Sequence, residues 1–352
     1  MFFLKKTKKL LKKIHKIIDA KSIVPKDKFS YKNFGVINHL EKSVPYKSNL
    51  GRNELIKQLI NVYGINVEYP LELKNNIKGI KTYKDKIKYN GIFFDNSYFE
   101  SYDGLKIPIY VLYPPNFDPK RKYPTIIIFS GHGSSIQAAF EESSYQHGAG
   151  SALAKKGFLV FVMENRGMGS ISYLGSHLRI DAIARITGGS WYGEIITDGF
   201  WLIENVFNVE FVDKTRIGTA GVSSGGALSM IIAAIDERIS AAYIQGYLGT
   251  FRKTFGTRAN HCLCNHINGI LNVCEMADIA SLIAPRPALF VNGTNDTFYY
   301  LDAKNEYNKI YSTYKNKNVE AKLNFMAPEG VGHEFSINIA VKWFFEQFIE
   351  NR

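Results

Sequence analysis

Long apolar runs, cysteine pairs for a disulfide framework and low-complexity linkers are all missing from this 352-residue chain. A membrane-spanning helix needs about 18 or more consecutive apolar residues, and no such stretch occurs. Cysteine occurs only as Cys262, Cys264 and Cys274, all within one short segment. Three thiols cannot staple a protein of this size, so reduced cysteines and a cytoplasmic setting are expected. No stripe of arginines interleaved with aromatics runs along the body, which argues against a nucleic-acid partner. No internal repeat divides the chain.

What is present describes a globular protein. Hydrophobic residues make up 45% of the chain and aromatic residues 14%, against 22% charged. That balance supports a large core rather than disorder. The net charge of +12 is unevenly spread, because the first 28 residues hold ten Lys and only two Asp. Basicity is therefore a property of the N-terminus. Residues 2–18, FFLKKTKKLLKKIHKII, place apolar side chains at helical spacing with lysines opposite. Such a helix suits peripheral contact with an anionic membrane surface, or docking of its apolar face on the body or a partner subunit. An unbroken apolar run and a small-residue cleavage site, the marks of a secretory signal, are lacking.

Three segments are expected: a basic amphipathic helix over 1–28, an extension or cap over 29–84 with one helix from Asn53 to Tyr63, and a larger unit over 85–352. In the last, residues 86–94 and 98–112 alternate polar and apolar, with a turn at Asp103-Gly104, as a half-exposed antiparallel start. Apolar runs at Thr125–Phe129, Phe158–Met163, Arg216–Val222, Ile239–Gln245, Ala288–Val291 and Ala321–Met326 then alternate with helical stretches. Continuous apolar runs mark strands buried on both faces. Alternation with helices marks parallel crossovers, and thus a doubly wound α/β domain of about 250 residues.

Gly221-Val222-Ser223-Ser224-Gly225 matches G-x-S-x-G. The match gains weight from its context: an apolar strand ends at the motif and an apolar helix starts after it. A strained strand–turn–helix elbow that lifts a serine hydroxyl to the sheet edge needs this arrangement. A plain glycine-rich turn that cradles phosphate is the alternative, but no Lys follows the glycines as a P-loop requires. A serine hydroxyl is a weak nucleophile until a base takes its proton. His333 is the one histidine after residue 266, and it lies between a strand and the final helix. Asp296 follows the strand Ala288–Val291, so Ser223, Asp296 and His333 come in the chain order expected of such a triad. Asp302 and Glu329 are rivals for the acid role. The oxyanion hole is assigned to the backbone N–H groups of Ser224 and His132, with Gly133 next in line, from the glycine-rich loop Ser130-Gly131-His132-Gly133.

These motifs resemble the α/β-hydrolase superfamily and, within it, its dienelactone hydrolase-like and acetyl xylan esterase-like branch. Ser130-Gly-His-Gly133 is similar to the branch's H-G-H-G loop, with Ser130 where His is usual. Asn165-Arg-Gly-Met-Gly-Ser170 resembles its R-G-x-G-x-S turn. Gly193-Glu194 through Asp198, Val212–Gly218 and Ala284-Pro-Arg-Pro287 also match its pattern, as does the Cys-rich segment His261–His266. The resemblance covers about residues 95–350. It implies a mostly parallel, eight-stranded sheet and hydrolysis of carboxylic esters, commonly small acyl groups on sugars, through an acyl-enzyme.

A small-molecule ester is the expected partner, and no cofactor or metal is called for. The C-x-C spacing is tighter than the usual C-x₂₋₄-C zinc pair, so Cys262 and Cys264 are assigned to packing or to a pocket wall. Segments 134–150 and 170–192 are expected to line the pocket, with His147, Trp191 and Tyr192 facing a polar, ring-shaped alcohol. Acyl transfer or peptide cleavage by the same triad, and a non-catalytic binding role on a hydrolase scaffold, are competing readings. Oligomeric state is left open.

Overall fold

Why the apolar runs are continuous is visible in β4. In this computed structural model, which describes residues 50–68, 71, 77–256 and 261–350, Ile126 and Ile128 pack into one core layer while Ile127 and Phe129 pack into the other. A strand alternates faces with period 2, so a sheet covered on both sides needs apolar residues at every position. The described residues all lie in one compact unit, Pro45–Arg352. The basic segment 2–18 and the 1–28 boundary lie outside them.

The chain enters with α1 (Arg52–Tyr63), followed by β1 (Lys81–Tyr89), β2 (Ile92–Glu100), β3 (Lys106–Leu112) and β4 (Tyr123–Phe129). Next come α2 (Ser135–Ala139), α3 (Ala149–Ala154), β5 (Leu159–Met163), α4 (His177–Ile186) and α5 (Trp191–Phe207). The second half runs β6 (Val212–Val222), α6 (Ser224–Ile235), β7 (Ala241–Gln245), α7 (Met276–Ser281) and β8 (Ala288–Val291). It closes with α8 (Tyr300–Asn316), β9 (Leu323–Met326) and α9 (Ile337–Phe345).

Among the described residues the strands form one sheet in the order β1-β2-β3-β5-β4-β6-β7-β8-β9. The pairs from β5 to β9 are parallel, whereas β1–β2, β2–β3 and β3–β5 are antiparallel. The sheet thus has nine strands where eight are expected. The extra strand is β1, a Lys-rich edge strand with register shifts that carries no apolar signature. It turns into β2 through Asn90 and Gly91, both at positive φ (47° and 82°), the requirement of a tight two-residue hairpin turn.

The expected boundary at 85 falls inside β1. Nor does α1 stand apart as a cap: Leu55, Ile56, Leu59, Ile60 and Tyr63 are buried in the same core layer as α5, α6, α7 and α8. Burial of such side chains contributes roughly 1.5–3 kcal/mol each. Gly64, at φ 69°, ends α1 in the left-handed conformation that frees its N–H to cap the last carbonyls. Ser190 Oγ then donates to Tyr63 O at 2.7 Å, and Asn66 N–H donates to Thr197 Oγ1 at 2.9 Å, locking α1 across α5. α2, α3 and α9 cover the opposite face.

Candidate active site

β6 ends on Val222, and Ser223 sits between it and α6 at φ 63°, ψ −129°. A non-glycine residue with positive φ is strained, and here neighbours hold it. A Cβ at Gly221 would collide with the backbone of Gly225, and one at Gly225 with the carbonyl of Phe129. Strand, helix and the 130–133 loop therefore approach each other only because these positions are glycine. Ser223 N–H donates to Gln245 O at 3.0 Å.

His333, on the loop between β9 and α9, donates from Nδ1 to Asp296 Oδ1 at 2.7 Å. The Asp296 side chain is fully buried, and the same oxygen accepts Phe298 N–H at 2.9 Å. Asp302 instead lies in the first turn of α8, within 3.9 Å of Lys253. The elbow and the His–Asp pair meet at Gln245-Gly246. A Cβ on Gly246 (φ 60°) would lie 3.1 Å from His333 Nδ1 and 3.0 Å from Asp296 Oδ2. The preceding residue, Gln245, is the one whose carbonyl accepts Ser223 N–H.

The 130–133 loop is fixed by side-chain hydrogen bonds. Gly131 N–H donates to Gln146 Oε1 at 2.8 Å, and Asn165 Nδ2 donates to Ser130 O at 2.8 Å. Ser130 Oγ donates to Met163 O at 2.9 Å, so this residue ties β4 to β5 where a His is usual. Gly133 N–H is engaged with Gly131 O at 2.8 Å, which separates it from His132 as a candidate donor. Ser224 is the first residue of α6, and first-turn N–H groups have no intrahelical acceptor.

Two aromatic residues beside His333 carry no signal in the sequence. The rings of Tyr145 and Phe298 lie nearly parallel to the His333 imidazole, at 11° and 12°, with centroids 6.2 and 5.9 Å away. Burial raises the Tyr145 phenol well above its ordinary range. Arg166, from the R-G-x-G-x-S turn, is a buried structural hub. Its guanidinium bonds Asp198 at 2.7 and 2.8 Å and Asp103 at 2.6 and 3.1 Å, and its carbonyl accepts the Trp191 indole N–H at 2.8 Å. Arg286, from the A-P-R-P segment, donates to the carbonyls of Asp236 and Ile239 beyond the C-terminus of α6.

The expected pocket wall is corrected. Trp191 and Tyr192 are completely buried as the opening residues of α5, so they present no ring to a substrate. Segment 170–192, expected to line the pocket, contains the helix α4, capped by Ser176. His147 is engaged by Glu334 at 2.8 Å and by Glu142 O at 2.9 Å.

The Cys-rich segment also differs from a simple packing element. His132 Nε2 lies 3.1 Å from Cys264 Sγ, and His177 Nε2 lies 3.1 Å from Cys262 Sγ. Hydrogen bonding with Cys264, and then with His132 and His177, holds the Cys262 thiol well below its usual range. The C-x-C spacing says nothing of the two histidines, which come from segments far away along the chain.

A doubly wound sheet, a serine at a strained strand–helix turn and a buried Asp–His pair at the same edge make this chain an α/β hydrolase. The family model of acetyl xylan esterase (AXE1) matches residues 87–263, half of its length, and the chain belongs to that family. Similar solved structures include a protein of Bacteroides fragilis NCTC 9343 proposed to be an acetyl xylan esterase (TM-score 0.72, 15% identity, 92% of this chain and 97% of that one). Acetyl xylan esterase 1 from Thermoanaerobacterium sp. JW/SL YS485 aligns with TM-score 0.57 and 17% identity, over 91% and 99% of the two chains. Glucuronoyl esterase from Solibacter usitatus aligns with TM-score 0.61 and 11% identity, over 86% and 93%. At these identities the likeness is one of fold. Among curated proteins, dipeptidyl aminopeptidase A of Saccharomyces cerevisiae is 26% identical over 231 residues, 60% of this chain. This chain spans only 22% of that relative, and 13% of the Arthroderma gypseum "Probable dipeptidyl-aminopeptidase B" that it also matches. Among the described residues, no helix is long and apolar enough to cross a membrane.

Proposed function

We propose that the protein is a serine-dependent carboxylic ester hydrolase that removes small acyl groups, acetyl above all, from carbohydrate. The observation that carries this reading is the 2.7 Å bond from His333 Nδ1 to buried Asp296, made beside the backbone segment that also holds the strained Ser223. With its proton on Nδ1, the imidazole has Nε2 unprotonated and able to act as a base.

His333 Nε2 takes the Ser223 proton as Oγ bonds to the ester carbonyl carbon. The N–H groups of Ser224 and His132 receive the negative oxygen. As the tetrahedral species collapses, the carbon–alkoxide bond breaks and His333 passes the proton to the departing alcohol. Water then attacks the acyl-enzyme, giving a proton to His333, which returns it to Ser223 as the acid leaves. Asp296 stabilises the imidazolium formed in both steps.

The test is a panel of acetylated sugars and aryl esters of graded acyl length, run beside Ser223→Ala. Turnover should be highest on acetyl esters and fall by roughly 10⁶-fold in the variant, with folding intact. Near-normal activity in Ser223→Ala would overturn the assignment. The short matches to dipeptidyl aminopeptidases favour one competitor, peptide cleavage, and dipeptidyl anilides in the same panel decide it. The three unpaired thiols support a reducing, cytoplasmic location. Contact of residues 2–18 with anionic lipid is part of the proposal, and liposome sedimentation with and without that segment tests it.

A further inference from the structure

His132, His177, Cys262 and Cys264 each present one soft donor atom, and the four atoms all lie within 4.8 Å of one another. They come from three places in the fold: the loop after β4, the first residue of α4, and the short turn 262–265. From this convergence we infer a second, non-catalytic site in the molecule: a His₂Cys₂ centre for a tetrahedral transition-metal ion, with Zn²⁺ as the fitting metal.

The donor chemistry selects the ion. Two imidazoles and two thiolates, with no carboxylate among them, suit zinc rather than magnesium or calcium. Asp181, the nearby acid, is committed elsewhere: it accepts Trp191 N–H at 2.9 Å and pairs with Arg185 at 2.7 Å. Tetrahedral bond lengths of about 2.0 Å to nitrogen and 2.3 Å to sulfur put neighbouring N and S donors about 3.5 Å apart. The two N···S separations of 3.1 Å are already close to that value, so a small outward shift would accommodate the ion. Four protein ligands fill the coordination sphere, which is the mark of a structural centre, since a catalytic one keeps a position open.

The surroundings are built to hold the ligands. The Trp191 indole packs against both imidazoles, with centroids 5.3 and 5.2 Å away. The turn that bears the cysteines is clamped by Arg185, which donates to His266 O at 2.7 Å, and by Asn265, which accepts from the Tyr192 hydroxyl at 3.0 Å. Asn265 Nδ2 also points at Cys264 Sγ at 3.9 Å, an outer hydrogen bond of the kind that steadies a metal thiolate. Cys264 is buried while the other three are half-exposed, so an ion has a way in. Hydrogen bonds to sulfur are weak and give little reason for four such groups to gather. A shared ion gives one.

The test uses the full chain purified without a chelator. Elemental analysis should find roughly one zinc per molecule. Replacement by Co²⁺ should give visible d–d absorption of a tetrahedral ion and a thiolate-to-metal charge-transfer band in the near ultraviolet. Cys262→Ser and His177→Ala should each weaken zinc binding more than about tenfold, while Cys274→Ala should retain it. Stripping the wild type with chelator should lower Tm, and Zn²⁺ but not Mg²⁺ should restore it. A wild-type chain that binds neither Zn²⁺ nor Co²⁺, a Cys262–Cys264 disulfide in the native protein, or zinc retained undiminished by both variants would each overturn the inference. The cobalt spectrum is read on unmutated protein and so stands even where a variant fails to fold.

Discussion

Gln245 holds Ser336 with both ends of its side-chain amide: Oε1 accepts Ser336 N–H at 2.7 Å, and Nε2 donates to Ser336 Oγ at 2.8 Å. Its own backbone carbonyl accepts Ser223 N–H. One fully buried residue at the end of β7 therefore ties the strained turn at Ser223 to the loop that carries His333, three residues before Ser336. A misplacement of about 1 Å between reacting groups costs on the order of 100-fold in rate. Gln245→Leu should lower kcat by roughly 10–100-fold with a smaller change in KM. Steady-state kinetics on an acetyl ester checks this, and an unchanged kcat would refute the linkage.

Asp296→Asn keeps the shape of the acid but favours the wrong imidazole tautomer. A kcat about 10⁴-fold lower is expected, with circular dichroism unchanged. Asp302→Asn, at the start of α8, should leave turnover within roughly twofold, as most substitutions away from such features are mild.

Gly225 has no room for a side chain beside Phe129 O and the Ser130 backbone. Gly225→Ala should destabilise by about 1–3 kcal/mol through overpacking. It should also displace the 130–133 loop, so that kcat falls even at temperatures where the variant is folded. Urea unfolding and kinetics at 15 °C, about the temperature of maximum stability, separate the two effects.

Arg166 neutralises Asp198, whose side chain is wholly buried. Arg166→Met should cost about 3–5 kcal/mol, because Asp198 would then stand buried without its partner. A double variant, Arg166→Met with Asp198→Leu, should recover most of that loss, and a thermal melt compares the two.

Burial raises the carboxyl of Glu275 to about 7, and those of Asp278 and Glu306 are raised by the same cause. The groups facing them are Arg252 and Lys309, the latter bonded to Glu306 at 2.6 Å. A raised native pKa means that the folded state binds the proton more tightly than the unfolded chain. The resulting stability is complete below the unfolded pKa, about 4, and is lost as pH rises toward 7. The urea midpoint should therefore fall between pH 5 and pH 8, and Glu275→Gln should flatten that fall. A midpoint rising over this range in the wild type would contradict it.

Much of this edge of the sheet is legible in the sequence. Ala288–Val291 is the observed β8 without a residue's difference, and the elbow between β6 and α6 falls where G-x-S-x-G puts it. Strands buried on two faces and helices with apolar stripes advertise themselves through composition and period. β1 shows itself only in part: the alternation over 86–94 reads as one strand, whereas the Asn90-Gly91 turn divides it between β1 and β2, and the lysine-rich start of this edge strand is paired by backbone alone. α4 has no such mark, and the Gly-, Ser- and aromatic-rich composition of segment 170–192 suggests only a pocket lining. Trp191 and Tyr192 were misread for a different reason: aromatic residues suit a pocket and a core equally well, and only burial separates the two.

The chain's own order of residues determined the buried parallel strands, the elbow and the identity of Ser223, Asp296 and His333 as candidates, because period, glycine placement and chain order are local or one-dimensional properties. Tertiary structure alone decided which carboxylate meets the imidazole, that Gln245 joins two loops, and that His132 and His177 converge on a C-x-C turn. Those are meetings between residues scores of positions apart, and no local propensity encodes them. They follow from the packing of helices on both faces of one sheet, which brings strand ends and loops to a common edge.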